Sequence, residues 1–346
     1  MARLHYGRYG RRRAKRRAYL ITGVIVLIAC CGVYWLLTRR DSGESGNQTT
    51  PPETGDSASS AAEHDDGVMV VKPEPEKVSP SIKPAGDTTP QDNPEAAQSI
   101  TEAKSLIDKS PPAIIEARDI LNNVLTLPMS YEQSKTVAAM LSQLADKWLF
   151  SKRIFSQDDL CDSYTVKEGE LLSQISKRYK VPYQILMEIN KIPDPRALWA
   201  GSNIKVINGP FHARVFNSSF TMNLYLQNTF VKSFKVGLGK PGMETPTGVW
   251  LVEPGGKLIK PVWTDPVTQK TYHPEAPDYP LGSRWIGLKG LEGEAKGRNG
   301  FAIHGTKDPD QIGTASSQGC IRMHNGSAIL IYNLLFPGYS RVEVLE

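Results

Sequence analysis

The spacing of apolar residues divides the chain into regions with different predicted structures. A run of 19 residues without a charge, from Tyr19 to Leu37, is long enough to cross a bilayer as one helix. Between residues 96 and 156 apolar side chains recur every three or four positions, which predicts two or three helices that pack on one another. Between residues 210 and 346 short runs of alternating apolar and polar residues, separated by Gly and Pro, predict a mainly antiparallel sheet.

Residues 39–95 lack the apolar content of a folded domain. From residue 41 to residue 95 there is no Phe, Tyr or Trp, and eight prolines stand among many Ser, Thr, Glu and Asp residues. Such a segment cannot bury enough apolar surface to offset the entropy lost on ordering. We therefore expect residues 39–95 to be a disordered linker.

Two motifs predict where helices begin in residues 96–156. Ser99-x-x-Glu102 and Ser130-x-x-Gln133 both fit the capping box, in which a hydroxyl and a carboxylate or amide satisfy the first backbone N–H groups. The helices loosely resemble a tetratricopeptide unit. Fewer than three such repeats are present, so a spacer is favoured over a partner-binding array, and the sequence leaves the protein partner of this segment unknown.

Charge is concentrated at the N-terminus. The chain carries 41 Lys and Arg residues against 36 Asp and Glu, but eight basic and no acidic residues lie within residues 1–18. The remainder carries 33 basic and 36 acidic residues, which argues against nucleic-acid binding. A basic tail stays in the cytoplasm, so residues 19–38 are predicted to anchor the chain in the membrane, with the rest outside. The sequence Leu27-Ile28-Ala29-Cys30 leaves open another tether, in which Cys30 is lipidated.

Residues 161–208 predict a short strand, two short helices and a closing strand. Over its whole length this segment resembles the LysM family of carbohydrate-binding domains. The residues that carry the resemblance are Tyr164-Thr165-Val166-Lys167, Gly169, Leu172, Ile175, Tyr179, Asn190, Pro195, Gly201 and Ile204-Lys205-Val206.

The resemblance implies a β-α-α-β fold that binds glycan containing N-acetylglucosamine in a shallow groove. Two loops would form that groove, one between the first strand and helix and one after the second helix. The implied glycan-binding residues are Gly169, Glu170, Leu171, Ile192, Pro193 and Asp194. Glu170 and Leu171 depart from the family pattern, in which Asp and Thr or Ser are more usual. A module that only spaces the next domain is the alternative.

The C-terminal region contains a thiol and an imidazole in a context that suits catalysis. Cys320 follows His304 by sixteen residues, and glycines stand beside both, at Gly305 and Gly319. A thiol becomes a good nucleophile when a neighbouring imidazole accepts its proton. Adjacent glycines let the backbone approach a substrate closely. From spacing alone, these residues are candidates for a cysteine-dependent enzyme.

Several motifs in residues 210–346 resemble the catalytic domain of the L,D-transpeptidase family of the YkuD type. The motifs are Thr245-Pro246-Thr247-Gly248, Leu281-Gly282-Ser283-Arg284-Trp285-Ile286, His304-Gly305-Thr306 and Ser317-x-Gly319-Cys320-Ile321-Arg322. The whole chain is accordingly expected to be a multidomain protein. It would have one transmembrane helix, a disordered stalk, a small helical segment, a LysM module and a mainly β catalytic domain.

The resemblance also implies a role for each residue of the motif. Cys320 would be the acylated nucleophile and His304 its base, oriented by the Gly305 carbonyl. Gly319 would shape the oxyanion site, and Arg322 would provide a cation beside the thiolate or the substrate carboxylate.

Other residues are predicted to contact the substrate. They are Ser317, Gln318, Trp263, Tyr279 and Arg284. Gln318 stands where the family usually has His, so substrate contacts are expected to differ there. Trp263 and Tyr279 lie in a long Pro-rich stretch, which is either irregular or a lid over the site.

The implied reaction is acyl transfer on the stem peptides of peptidoglycan. Cys320 would attack the carbonyl of the diamino acid at the third stem position, expel the terminal D-Ala and hold a thioester. An acceptor amine would then form a 3-3 cross-link. The expected partners are peptidoglycan glycan strands and stem peptides, and the expected location is the cytoplasmic membrane of a bacterial envelope, facing outward. No cofactor or metal is predicted, because a thioester needs neither.

Several alternatives stay open at the level of sequence. With water as the acceptor, the same site would be an L,D-carboxypeptidase. A degenerate site would leave a non-catalytic peptidoglycan-binding structural protein. Cys320 would serve a structural role if it formed a disulfide with Cys161 or joined His304 and His324 at a zinc ion. The sequence does not indicate whether the acceptor is a stem, a lipoprotein lysine or a free amino acid, and it leaves the oligomeric state open.

Overall fold

The computed structural model of the protein describes residues 91–346, which belong to one compact unit. The predicted basic tail at 1–18, the predicted anchor at 19–38 with Cys30, and the predicted linker at 39–95 up to residue 90 lie outside the described residues. None of the helices formed by residues 91–346 combines the length and the apolar character needed to cross a membrane.

Three helices form the first part of the described chain, as the apolar spacing predicted. They are α1 (Pro94–Asp108), α2 (Ile114–Val124) and α3 (Tyr131–Trp148). Their apolar stripes face one another and are buried. The stripe residues include Ile100, Ala103, Leu121, Val137, Leu141, Leu144 and Trp148. Packing of these stripes, rather than helix propensity, accounts for most of the stability of such short helices.

One of the two predicted helix starts is confirmed and the other is wrong. The Ser130 hydroxyl accepts from the Gln133 amide at 3.2 Å, and the Gln133 side chain reaches back to the Ser130 backbone, so α3 begins in a capping box. Helix α1 begins at Pro94 instead of Ser99. The Asn93 side chain accepts hydrogen bonds from the first turn of α1, and Pro at N1 favours a helix start. The last two residues assigned to the linker, Pro94 and Glu95, are therefore helical.

The next module has the β-α-α-β order that the LysM resemblance implied. Its elements are β1 (Cys161–Thr165), α4 (Leu172–Tyr179), α5 (Tyr183–Asn190) and β2 (Asn203–Ile207). The two strands pair in antiparallel fashion, and the inner faces of the helices are fully buried against them.

A buried lysine joins this module to the helical segment. Lys205 of β2 is 1% exposed, and its ammonium donates to backbone carbonyls just at and after the end of α3. The acceptors are the carbonyls of Trp148, Ser151 (3.1 Å) and Arg153 (2.7 Å). A cation at a helix C-terminus satisfies carbonyls that lack helical partners and interacts favourably with the helix dipole. The helices thus pack onto the module as one body.

The remainder of the chain folds into a mainly β domain, as predicted. Its principal elements are β3 (Phe211–Phe216), β4 (Thr221–Leu226), β5 (Thr229–Lys235), β6 (Leu238–Gly239), β7 (Gly248–Leu258), β8 (Trp263–Thr264), β9 (Thr271–Tyr272), β10 (Trp285–Glu292), β11 (Phe301–His304), β12 (Ala315–Ser317), β13 (Ile321–Arg322), α6 (Asn325–Leu334) and β14 (Arg341–Leu345). Eight strands form one sheet in the order β13-β11-β10-β7-β14-β3-β4-β5. Only the β13–β11 and β14–β3 pairs in this sheet are parallel.

The sheet edge formed by β5 is covered by the helical segment. The Phe230 amide donates to the Asn122 side-chain oxygen at 2.9 Å, and Lys232 lies 3.9 Å from the Asp146 carboxylate. An exposed edge strand offers unpaired backbone groups to other chains, and covering it removes that liability.

The long Pro-rich stretch between β7 and β10 contains a short hairpin. Strands β8 and β9 pair through Trp263 and Tyr272, whose rings stack with centroids 6.0 Å apart. Asp265 accepts backbone hydrogen bonds from Val267 and Thr268 and so fixes the turn between the two strands. The stretch is therefore partly ordered by its own contacts.

Candidate active site

His304 ends strand β11 in a position fixed from two sides. Its ring stacks on Trp285 of the neighbouring strand, with centroids 5.7 Å apart and an angle of 18° between the planes. Its Nδ1 lies 2.6 Å from the carbonyl oxygen of Gly305. A carbonyl can only accept, so Nδ1 carries the proton and Nε2 is left as the proton acceptor of the neutral ring.

Parallel pairing of β11 and β13 brings the predicted nucleophile to this histidine. Ile303 pairs with Ile321 and His304 with Arg322, so Cys320 stands at the start of the strand beside the one that carries His304. Among residues 91–346 no hydrogen bond joins the thiol to the imidazole. Catalytic hydrogen bonds are commonly long in free enzymes and shorten when substrate binds. Cys161 and Cys320 are both free thiols, so they do not form a disulfide with each other in this structure.

The two groups are uncharged at neutral pH. Burial raises the pKa of the Cys320 thiol to about 11, although a hydrogen bond from the Ala302 backbone and the charge of Arg322 act in the opposite direction. Burial lowers the pKa of His304 to about 4, and the charge of Arg322 adds to this, while the backbone carbonyls of Gly305 and Leu281 oppose it. At pH 7 only about one thiol in 10⁴ would be ionised on its own.

Asn325, which the sequence did not single out, holds the loops on both sides of His304. Its side-chain oxygen accepts from the Ser283 amide at 2.9 Å, and its side-chain nitrogen donates to the Thr306 carbonyl at 2.9 Å. A Cβ at Gly305 would lie 2.2 Å from the Asn325 oxygen, so only glycine fits there. Gly305 therefore serves two purposes, since its carbonyl orients His304 and its lack of a side chain admits Asn325.

The turn that carries Cys320 is held by hydrogen bonds from Ser317 and Thr245. The Ser317 hydroxyl donates to the Cys320 carbonyl at 2.7 Å and accepts from the Gly319 amide at 3.1 Å. The Thr245 hydroxyl donates to the Gly319 carbonyl at 3.0 Å. Gly319 has a φ of +105°, and a Cβ there would lie 2.7 Å from the Phe301 ring. Because the Gly319 amide is already used by Ser317, this glycine shapes the turn through its backbone conformation.

Arg322 is half-buried beside the pair. Its backbone exchanges hydrogen bonds with Gly237, and its Nη1 donates to the side-chain oxygen of Gln311. Arg322 pairs with His304 across β11 and β13, and its positive charge lowers the pKa of both Cys320 and His304.

The residues predicted to contact substrate occupy different environments. Gln318 is exposed, and its side chain lies close enough to Asp265 of the β8–β9 turn to help lower the pKa of that carboxyl. Trp263 is partly exposed in the same hairpin. Tyr279 is buried, and its hydroxyl donates to the Pro261 carbonyl at 2.7 Å. Arg284 packs over the ring of Tyr332 on α6, 5.3 Å from its centroid. Ser317, Tyr279 and Arg284 are thus engaged in contacts within the protein, and their predicted substrate contacts stay predictions.

A groove of about 820 Å³ runs beside the Cys320 turn. Its lining includes Gly239, Thr245 and Phe301, together with Pro266 and Val267 of the hairpin. Gln318 also lines this groove. Its size suits an extended peptide rather than a single amino acid.

Glu170 in the LysM module is tied into an internal network. Its carboxylate accepts from the Tyr164 hydroxyl at 2.8 Å, from Arg178 at 2.8 Å and from the Lys167 amide at 3.2 Å. These bonds lower the pKa of Glu170 against the opposing effect of burial. Its side chain is only 7% exposed, so Glu170 supports the loop, whereas the neighbouring Leu171 is 58% exposed.

Trp199 is the most exposed large apolar side chain of the described chain, at 78%. The turn that carries it is bonded to the start of the first strand-helix loop, because Gly201 donates to the Val166 carbonyl at 2.8 Å and Val166 donates to the Ser202 carbonyl at 2.9 Å. Of the predicted glycan-binding residues on the other loop, Pro193 is exposed, and Ile192 and Asp194 are partly exposed. The sequence Leu198-Trp199-Ala200-Gly201 places a large aromatic residue in a short turn, and this pattern could have identified Trp199 as a candidate glycan contact.

Two family patterns match the chain. The pattern described as the L,D-transpeptidase catalytic domain matches residues 210–344, and that of the LysM domain matches residues 164–206. Both matches agree with the regions that carried the resemblances in the sequence.

Relatives with similar sequences carry the same family name. The "Putative L,D-transpeptidase YkuD" of Bacillus subtilis (strain 168) is 30% identical over 195 residues, which cover 53% of this chain and 98% of that protein. The "Probable L,D-transpeptidase ErfK/SrfK" of Escherichia coli (strain K12) is 32% identical over 127 residues, covering 34% of this chain and 37% of that protein. Among solved structures, an L,D-transpeptidase from Mycobacterium smegmatis is 15% identical, with a TM-score of 0.31, over 42% of this chain and 64% of that one.

The reactivity of Cys320 toward iodoacetamide should rise with pH throughout the range from about 6 to 9.5. The thiolate is the reactive form, and with a pKa of about 11 its fraction grows about tenfold per pH unit below that value. The measurement is the alkylation rate of the Cys320 peptide by mass spectrometry, with glutathione as an ordinary thiol for comparison. A rate that levels off below pH 8 would contradict the neutral pair and indicate a thiolate–imidazolium pair instead.

Proposed function

Because this chain belongs to the L,D-transpeptidase family, we propose that it is a peptidoglycan L,D-transpeptidase that uses Cys320 to form a thioester with a donor stem peptide. The observation that carries the proposal is the His304 ring, whose Nδ1 bond to Gly305 leaves Nε2 free to accept a proton on the strand next to Cys320. The proposed product is a 3-3 cross-link between neighbouring stems.

In the first half of the reaction, Nε2 of His304 takes the proton of the Cys320 thiol as Sγ attacks the carbonyl carbon of the third stem residue. A C–S bond forms, and the carbonyl electrons move to oxygen. The tetrahedral intermediate then collapses, the C–N bond to the terminal D-Ala breaks, and His304 returns the proton to the leaving amine. Since both groups are neutral beforehand, proton transfer accompanies the attack.

In the second half, the acceptor amine attacks the thioester carbon. His304 accepts a proton from the amine as the new C–N bond forms; the C–S bond then breaks, and His304 gives that proton to Sγ, which restores the thiol of Cys320 and the neutral imidazole. Water as the acceptor would give a carboxypeptidase by the same steps. The groove of about 820 Å³ that Phe301 and Gln318 line lies two residues along the chain from Cys320, and its volume supports a peptide as the acceptor.

We also propose that the LysM module binds glycan strands. Trp199 would supply a flat apolar surface for a sugar ring, beside the loop that carries Gly169 and Leu171. Family membership indicates a location in the bacterial cell envelope. A membrane anchor within residues 19–38 stays a prediction from the sequence, and it would hold the catalytic domain outside the cytoplasmic membrane.

Replacing Cys320 with Ala should lower the release of D-Ala from purified tetrapeptide stem fragments by about 10³-fold or more, because the nucleophile is lost. Mass spectrometry follows free D-Ala and cross-linked dimer. The matched control is Cys161→Ala, which should keep full activity because Cys161 is buried in β1 and lies outside the site.

Three results of this experiment would contradict the proposed nucleophile, the proposed acceptor or the proposed activity. D-Ala release without dimer would favour the carboxypeptidase. Activity that survives Cys320→Ala would exclude Cys320 as the nucleophile. The absence of turnover in the unaltered protein would favour a structural, glycan-binding role.

Replacing Trp199 with Ala should weaken binding to insoluble peptidoglycan about tenfold in a sedimentation assay, because the stacking surface is removed. Tyr131→Ala is the matched control, since Tyr131 is another aromatic side chain that is 69% exposed but lies on α3. Equal binding by the two variants would rule out Trp199 as a glycan contact.

A further inference from the structure

Arg322 has hydrogen-bond donors to spare. A guanidinium carries five N–H groups. Within residues 91–346, the only side chain that accepts from Arg322 is Gln311, through Nη1, and no carboxylate lies within ion-pair distance. Most of the planar fork is therefore available to an incoming group, and its charge is not neutralised by a direct partner.

The backbone of Gln311 is held in place beside the strand that carries Arg322. It ends the 3₁₀ turn Pro309–Gln311, and its carbonyl accepts from the Thr314 hydroxyl at 2.9 Å. A Cβ at Gly237 would lie only 2.6 Å from that same carbonyl oxygen. Gly237 in turn exchanges backbone hydrogen bonds with Arg322. The backbone of Gln311 is thus fixed next to the strand that carries Arg322, and its side chain contacts Arg322 and Asp308.

The choice of an amide at this position preserves the positive charge. Gln311 accepts from Arg322 through its oxygen, and its nitrogen faces the Asp308 carboxylate at 3.5 Å. Asp308 is itself paired with Lys307 at 3.0 Å. A carboxylate in place of the amide would form an ion pair with Arg322 and neutralise the positive charge of the guanidinium. The neutral amide orients the guanidinium and leaves the charge available to a ligand.

Arg322 is placed beside the candidate catalytic residues by the sheet. It pairs with His304 across the parallel strands β11 and β13, and it follows Cys320 by two residues along the chain. In the proposed reaction the donor ends one residue beyond the bond that breaks, so its free carboxylate lies near that bond. A planar fork of N–H donors matches a carboxylate in both shape and charge.

Resting on the proposed function, we propose that Gln311 is a positioning residue that presents Arg322 to the terminal carboxylate of the donor stem. In this proposal Gln311 sets how strongly Arg322 holds the carboxylate of the donor's last residue. A donor that continues past that point, or that ends in a neutral amide, would lack the group that Arg322 binds.

The test compares two donors, a tetrapeptide stem with a free D-Ala carboxylate and the same stem ending in D-alaninamide. The unaltered protein should process the amide with kcat/KM lower by about 10- to 100-fold, mostly through KM. Gln311→Glu should raise KM for the carboxylate donor and bring the two donors within about threefold of each other. Gln311→Ala should fall between these, because Arg322 keeps its charge but loses its orientation.

The ratio between donors is measured on one preparation, so a change in the folded fraction cancels. Gln143→Glu, the same substitution at an exposed position on α3, should keep the ratio of the unaltered protein. Equal use of both donors by the unaltered protein, or an unchanged ratio in Gln311→Glu, would overturn the inference while the proposed function stands. Failure to release D-Ala or its amide from either donor would instead count against the proposed function.

Discussion

The bond between His304 Nδ1 and the Gly305 carbonyl, at 2.6 Å, is the contact on which the rest of the site depends. It decides which ring nitrogen can accept a proton, and therefore whether the partly buried, neutral thiol of Cys320 could become a nucleophile in the proposed reaction. The carbonyl is held in turn because Asn325 bonds to the loops on either side of it. Gly305 is required by this arrangement, since a side chain there would collide with Asn325.

Burial and charge act against each other at the site. Burial disfavours both the thiolate and the imidazolium, which keeps Cys320 protonated and His304 neutral before substrate arrives. Arg322 favours the thiolate but disfavours a charged His304. A substrate carboxylate bound at Arg322 would reduce both effects, so proton acceptance by His304 would become easier while the thiolate would lose part of its stabilisation. Substrate binding and activation of the nucleophile would then be linked by one cation.

Local sequence patterns predicted the elements of the fold better than the contacts between them. Apolar residues at every second position predicted the strands, and apolar residues at every third or fourth position predicted the helices. The Ser130 capping box correctly predicted the start of α3. The start of α1 was missed because Ser99 also fits a cap, and only the fold shows that Asn93 is the residue that accepts the first amides. The hydrogen bonds between Lys205 and the end of α3 join residues more than 50 positions apart, so no local sequence pattern could predict them.

The same limit applies to the site. Cys320, His304 and their glycines stand in a recognisable motif, but Asn325 and Gln311 act through partners that only the folded chain brings near. Glu170 is a second example. Its place in the LysM motif predicts a glycan contact, and in the folded chain its carboxylate accepts hydrogen bonds from Tyr164 and Arg178. A residue's type and spacing indicate the chemistry available, and its partners decide how that chemistry is used.

The most direct test of this account is the protonation state of His304 at pH 7, measured by nitrogen NMR on ¹⁵N-labelled protein and assigned with a His304→Gln variant. The account predicts a neutral ring with the proton on Nδ1 and a bare Nε2. A proton on Nε2, or an imidazolium with both nitrogens protonated, would contradict it, because neither form can take the proton of Cys320.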